Sequence, residues 1–469
     1  MLDAGPTKKT RTPVLSKSGD SLLSERPVAL QFAEFARALR FEDLPASVVH
    51  EAKRALLNYF GVAIGGWSDP SCAVLSTMLG GISGKRQASV IGSLLKLDVL
   101  NAAFLNAVLA NALEFDDTHM PTVIHPAAPV APPLFALAEQ QQISGRQFLT
   151  AFVFGVEIAC RAGNAVSPGH YARGWHITTT CGVLGAAGAA AMPLNLTDQQ
   201  FSHALGIAAS QASGLVENLP SGAKSVQIGN SARNGLFAAL IAKQGYTASP
   251  RAIEGERGWA RAMGDVPDLA AFVGDLGGSW ELMKNAYKAY PCGIVLAPVI
   301  DACLQLCRDH ELTASSIDRV VVRGAPLLLA RADRPQVSDE RLAKLSLQHA
   351  AAAAFVRGQA GVTEFGEGSV NDAGIAAFRS KVVAMADATL SVSEAVVDVE
   401  LAGKKLSTRI TTPKGSLENP LTDEDIREKA RDLARLAGSA IDIDRLADAV
   451  WDLDMCQDAR ILMAMAGNA

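Results

Sequence analysis

Aromatic side chains are scarce in this sequence, at 6% of residues, and charged ones are thin at 19%, although 49% of the residues are apolar. With so few large rings, the core has to be built mainly from Ala, Val and Leu. That points to helices packed closely through small contact surfaces. Seven cysteines are scattered (Cys72, Cys160, Cys181, Cys292, Cys303, Cys307 and Cys456), and no two form a CxxC pair. Neither a zinc ribbon nor a dithiol redox motif is therefore present, and the usage fits a reducing, cytoplasmic setting. Cys303 and Cys307, four apart, read as one packed helix face. The chain also has no Walker loop, no dinucleotide fingerprint ahead of a strand and no GxSxG elbow. This argues against NTP hydrolysis, NAD chemistry and serine hydrolysis. Positive charge is not in excess either. There are 43 Lys and Arg against 48 Asp and Glu, a formal net charge of −5, which argues against nucleic acid as a partner. An anionic substrate would need a local cluster of Lys, Arg and His.

No apolar leader opens the chain. Residues 1–27 are polar and of mixed charge, and read as a flexible arm. Residues 177–197 carry no charge and invite a membrane-span reading. They are, however, built of Thr, Ala and Gly, with Pro193 inside, and Gly182, Gly185 and Gly188 recur every three residues. A buried helix in tight contact with a neighbour is the expectation, and no membrane partner is expected.

With 469 residues the chain is long enough for more than one domain. From 28 to about 270 the periodicity is helical. Residues 100–113 and 146–166 read as helices. Thr197 and Gln200 form a capping box ahead of a helix over 201–213. A further helix is expected over 230–244, closed by Gly245, and Ser249-Pro250 reads as the start of another. Near 280 the pattern changes. Residues 317–323 read as a strand, and 397–401 and 406–411 as a hairpin around Ala402-Gly403-Lys404-Lys405. Helices are expected around 346–358 and 374–385. After Pro420 helix returns, with Thr422 and Asp425 as a capping box. The fold class expected is mainly α: a large all-helical domain (28–280 with 413–469) and a smaller α+β lid inserted over 281–412. A ligand cleft is expected at their junction.

Four stretches hold residues suited to chemistry. Glu114, Asp116, Asp117, Thr118 and His119, followed by His125, gather three carboxylates and two imidazoles within twelve positions. They suit general acid–base work, or helix capping and a polar loop; a metal reading finds no matching ligand spacing. His170, Tyr171 and His176 precede the uncharged helix, whose N-terminus attracts anions; His176 is placed either to hold a carboxylate and move a proton or to cap the helix. Lys224, in a glycine-flanked loop, reads as a carboxylate clamp or as a surface lysine. Lys288 and Tyr290 stand at the domain junction, facing a cleft or belonging to a solvated linker. His349, ahead of a run of alanines, reads as a packed residue.

The stretches ALEFDDTHMPTVIHPAAPVAPPLFALAE, YARGWHITTTCGVLGAAGAAA, SGAKSVQIGNSARNGLFAALIA and KAYPCGIVLAPVIDA together resemble the MmgE/PrpD family, in the family's order. The resemblance runs from about residue 28 to the end. It implies a large helical domain with an α+β lid, a homodimer, no metal or organic cofactor, and a small anionic carboxylate as substrate. The family includes 2-methylcitrate dehydratase, cis-aconitate decarboxylase and iminodisuccinate epimerase. By position, its acidic, Thr and His site residues fall on Glu114 (or Asp116 or Asp117), Thr118, His125 and His176, its loop Lys on Lys224, and its junction Lys and Tyr on Lys288 and Tyr290. Where many relatives carry His or Pro, this chain has Gln227, Ala289 and Ala297. Those departures weigh against the decarboxylase.

The expected chemistry is proton removal beside a carboxylate. His176 is the first choice of base. Lys224, Lys288 and His125 would stabilise developing negative charge, and Tyr171 or Tyr290 would donate to a leaving hydroxyl. Asp117 joins the catalytic set, and Glu114, Asp116 and Thr118 the binding set. A hydro-lyase like 2-methylcitrate dehydratase leads, ahead of an epimerase, a decarboxylase and a non-catalytic carboxylate binder.

Overall fold

The computed structural model describes residues 26–467, so the arm expected at 1–27 lies outside the described residues except for Arg26 and Pro27. The large body is helical. Helix α1 (Ala46–Gly65) is followed by α2 (Val99–Asn111), whose N-cap Asp98 accepts from the amides of Leu100 and Asn101. A short strand β1 (Asp117–His119) leads to α3 (Ala127–Ala138), α4 (Gly145–Val166), α5 (Ile177–Ala191) and α6 (Ala223–Lys243). Two capping boxes start helices here, Ser144 with Gln147 for α4, and Thr197 with Gln200 for the helix Asp198–Ala209.

The uncharged stretch is the centre of this body. Every residue of α5 is buried, and it packs on α3, α4 and α6. The small residues explain how. A Cβ added at Gly185 would lie 2.5 Å from the carbonyl oxygen of Gly155 on α4. One added at Gly235 of α6 would lie 2.4 Å from Cβ of Ala186. Backbones approach too closely for any side chain at these positions, which is what an Ala- and Gly-rich, ring-poor sequence permits. Among the described residues one helix, α4, is long and apolar enough to cross a membrane, and 94% of its apolar window is buried inside the molecule.

A short strand β2 (Asn285–Tyr287) pairs antiparallel with β1, matching Asp117 with Tyr287 and His119 with Asn285. Beyond it a second hydrophobic cluster begins, formed by residues between Cys292 and Ile410 and separate from the cluster of the helical body. Its four-stranded sheet has the order β4-β3-β5-β6, from β3 (Arg319–Gly324), β4 (Val382–Ala386), β5 (Ala395–Leu401) and β6 (Lys404–Ile410). Only β3 and β4 run parallel. Between β3 and β4 lies α7 (Pro326–Ala332). The helices Ala297–His310 and Leu347–Arg357 supply the rest of this core. The chain then returns to the first body through α8 (Asp423–Leu436), opened by the Thr422–Asp425 capping box and packed on α1.

Four local expectations are corrected. Residues 374–385 are not one helix: Ala373–Arg379 is helical, and 382–386 form the edge strand β4. The β-branched Val382 and Val383 gain sheet pairing with β3 that outweighs the helical pattern. Ser249-Pro250 opens turns rather than a helix. The helix after Thr197 stops at Ala209, four residues early. Helix α6 begins at Ala223, not Asn230, so Lys224 stands in its first turn.

Candidate active site

The junction of the two bodies holds a cavity of about 260 Å³. Glu114, Thr118, His125, Tyr171, His176, Lys224 and Lys288 all line it. Residues more than 170 positions apart meet there because β1 pairs with β2, which sets Lys288 beside the acidic loop.

Glu114 ends the turn after α2 in the left-handed region, with φ 59°. A non-glycine residue held there costs on the order of 1–3 kcal/mol, and here the conformation aims a carboxylate at two lysines. Glu114 forms an ion pair with Lys224 and lies 3.6 Å from Lys288 Nζ. Lys288 also donates to the Glu114 carbonyl (3.0 Å) and to Asp116 Oδ1 (3.3 Å). The side chain of Lys288 is 3% exposed and that of Asp116 2%. Burial pushes both carboxyl groups up, but the lysines more than offset it for Glu114, which falls to about 2. Asp116 likewise lies below its usual range, through His125 and the lysines and a 2.6 Å hydrogen bond from Asn111 Nδ2. The floor therefore carries two cations matched by two anions.

His125 is oriented by backbone. Its Nδ1 lies 2.6 Å from the Asp117 carbonyl, with Thr118 Oγ1 3.2 Å away. A carbonyl only accepts, so Nδ1 carries the hydrogen and Nε2 keeps the lone pair. Burial lowers the imidazole to about 4, with Lys288 and Lys224 adding to the effect and Asp116 opposing it. His176 is the N-cap residue of α5, its amide donating to the Gly214 carbonyl (3.0 Å). Its Nδ1 is buried and has no partner among the described residues. Burial, then Lys224 and His125, push it well below the usual histidine range. Both imidazoles are neutral at pH 7. The phenol of Tyr171 is raised by burial and keeps its proton.

Asp116 stands directly behind this lining, in contact with Lys288. Two other expected site residues do not reach the cavity. Asp117 turns away to accept from Asn285 Nδ2 (2.8 Å) and the Ala127 amide (3.3 Å), because alternation along β1 sends it to the face opposite Thr118. Tyr290 donates to Asp301 and lines a separate cleft with Lys414 and Glu428. His170 bonds the Met263 carbonyl and Thr180 through its two nitrogens, and His119 bonds Thr122 and Glu281; both are buried in the scaffold. His349 is buried in the core of the smaller cluster, its Nε2 2.8 Å from the Glu364 carbonyl. Among the described residues no three His, Cys, Asp or Glu side chains converge as a metal-ligand set. Gln227, Ala289 and Ala297 are not part of the cavity lining; Gln227 braces Leu215 through both amide atoms.

Three contributors were not legible in advance. Lys429 of α8 donates to Asn58 Oδ1, the Phe115 carbonyl and the Lys288 carbonyl at 2.6–2.9 Å, tying the acidic loop to β2. Its helix pattern resembles an exposed face, so only the fold reveals it. Arg331, at the end of α7, and Arg334, just beyond, line the cavity from the smaller cluster. An apolar wall of Ile294, Val295 and Leu296 faces the cavity as well.

A helical body and an α+β unit, meeting over a cavity lined by imidazoles and paired lysines, define a class of two-part molecules. The particular family follows from comparison. Residues 30–271 match the MmgE/PrpD N-terminal domain and residues 290–454 the MmgE/PrpD C-terminal domain. The chain belongs to the MmgE/PrpD family. It is 28% identical to the cis-aconitate decarboxylase-like protein oryM of Aspergillus oryzae, over 89% of this chain and 92% of that protein. It is 27% identical to the cis-aconitate decarboxylase of Homo sapiens, over 87% of each. Against the cis-aconitate decarboxylase of Aspergillus terreus it is 33% identical, over 58% of this chain and 59% of that protein. These relatives are lyases by name.

Proposed function

We propose that the cavity is the active site of a lyase acting on a small di- or tricarboxylate, with proton transfer beside a carboxylate as its chemical step. One observation carries the reading: the imidazoles of His125 and His176 and the buried amines of Lys224 and Lys288 line one cavity. A neutral imidazole takes a proton. His125, its Nε2 lone pair fixed by the Asp117 carbonyl, is the base in this reading, in place of His176, which becomes the second proton carrier. Lys224 and Lys288, held in position by Glu114 and Asp116, stabilise the enolate-like charge. Tyr171 donates to the departing hydroxyl. The balance is that of an elimination: a C–H bond gives its proton to His125, its electron pair forms the alkene, and hydroxide leaves as water with the proton from Tyr171.

Decarboxylation is the second reading, and the names of the relatives favour it. There the C–CO2 bond breaks, CO2 leaves, and the carbon takes a proton from an imidazolium, which a bound anion beside His125 or His176 would favour. The departures at Gln227, Ala289 and Ala297 do not weigh against it here, since none lines the cavity. The test is proton NMR of the purified protein with citrate, 2-methylcitrate, cis-aconitate, malate and aminodicarboxylates. Loss of water supports the first reading and loss of CO2 the second. Inversion without elimination would mean an epimerase, and no turnover of any compound would overturn the lyase reading.

A further inference from the structure

We propose that Arg331 is a specificity-determining, carboxylate-binding residue of this cavity, holding a substrate carboxylate other than the one at the reacting carbon; this rests on the polycarboxylate reading above. Lys224 and Lys288 are matched by Glu114 and Asp116, so a substrate carboxylate that approaches them must compete with internal partners. Arg331 has no such partner. Among the described residues its guanidinium makes no ion pair, and the nearest acid in sequence, Asp333, is engaged by Gln348 Nε2 at 2.6 Å. The uncompensated positive charge in the lining is therefore on the smaller cluster's side, at Arg331 and Arg334.

Geometry makes Arg331 the stronger receptor of the two. Its guanidinium carbon lies 4.7 Å from the centroid of the Tyr171 ring. The ring attracts and positions the cation, and no carboxylate among the described residues takes up its N–H donors. An arginine positioned in this way can grip a carboxylate with two parallel hydrogen bonds. Arg334 is exposed, its Nε donating to the Arg331 carbonyl (3.2 Å), which sets it nearer solvent. The Arg331–Tyr171 stack also joins the two hydrophobic clusters directly, so a substrate held by Arg331 bridges both sides of the cavity.

The test is calorimetric binding of tricarballylate, a saturated tricarboxylate with no hydroxyl to lose, to the intact protein and to R331Q and R331K. R331Q is expected to bind roughly ten- to hundredfold more weakly with an unchanged melting temperature, the range for one charge-assisted pair. R331K restores part of the affinity, because a point charge replaces a fork. A purely structural brace for Tyr171 would instead lower the melting temperature and leave the affinity within twofold, and that result overturns the proposal. If R331Q does not fold, R331K decides: affinity equal to the parent overturns the proposal, and a severalfold loss supports it. Failure of the unaltered protein to bind tricarballylate or cis-aconitate would remove the polycarboxylate reading and this proposal together. Binding by the unaltered protein that R331Q matches would remove the Arg331 proposal alone.

Discussion

Replacing Lys288 with Met keeps most of the side-chain volume and removes one buried charge. What it leaves behind is the point of the experiment. Asp116 is 2% exposed and has Lys288 Nζ 3.3 Å away; without it, the remaining direct partners are the Asn111 amide and the His125 imidazole, whose Nδ1 lies 3.6 Å off. Two unit charges at that separation interact by about 5 kcal/mol at an effective dielectric of about 20. Removing one partner of a buried pair typically costs about 3–5 kcal/mol, since the orphaned charge keeps its desolvation penalty. We expect K288M to lose about that much, read from the urea midpoint by circular dichroism at pH 7.5. The pH dependence gives a second check. In K288M, burial is opposed by one cation fewer and the Asp116 folded pKa rises from its value in the parent, so the deficit is fullest at high pH and shrinks as pH falls through that raised pKa. Adding Asp116→Asn to K288M should recover at least half of the loss. A K288M deficit under about 1 kcal/mol, or one that is independent of pH, would refute the account of a charge-balanced floor.

Other consequences can be checked in turn. In kcat/KM, the base limb should fall only as pH drops through about 4, where His125 protonates, and stay flat through pH 6.5; a break near 6.5 would point to an unshifted imidazole. His125→Asn, which keeps a side-chain donor toward the Asp117 carbonyl but has no base, should lower the rate by about 10²–10⁴ with an unchanged melting temperature. Asp117 behaves oppositely to Glu114 and Asp116. Burial raises it to about 7, so the folded state loses stability as pH rises from 3.8 through 7, by roughly 4 kcal/mol. Asp117→Asn should therefore flatten the stability profile between about pH 4 and 7, and a profile equal to the parent's would contradict this. Gly185→Val places side-chain atoms on the Gly155 carbonyl and should cost more than about 3 kcal/mol in urea unfolding.

Much of this was readable before the structure. The charge-free stretch with glycines every three residues announced the buried helix α5, and the close approach of Gly185 to α4 shows the reason. The alternation on both sides of Ala402-Gly403 gave away the β5–β6 hairpin. Acid, imidazole and lysine types in a low-charge chain singled out most of the cavity lining. Orientation was not readable. Asp116 and Asp117 are adjacent, and only the pairing of β1 with β2 decides which one meets Lys288. Tyr290 follows Lys288 by two residues yet swings to Asp301, because the chain passes from one hydrophobic cluster to the other between them. Arg331, Arg334 and Lys429 carried no local signal: Arg331 and Lys429 look like ordinary charged helix positions, and Arg334 falls in the irregular segment after α7.

The most direct test of the central claim is proton NMR in deuterated buffer, with the unaltered protein and His125→Asn run side by side on citrate, 2-methylcitrate and cis-aconitate. The account predicts that the unaltered protein converts one of these, with deuterium entering or a C–H signal lost beside a carboxylate, and that His125→Asn slows the change by at least about a hundredfold. Equal rates for the two proteins, or no change in any compound from folded protein, would contradict it.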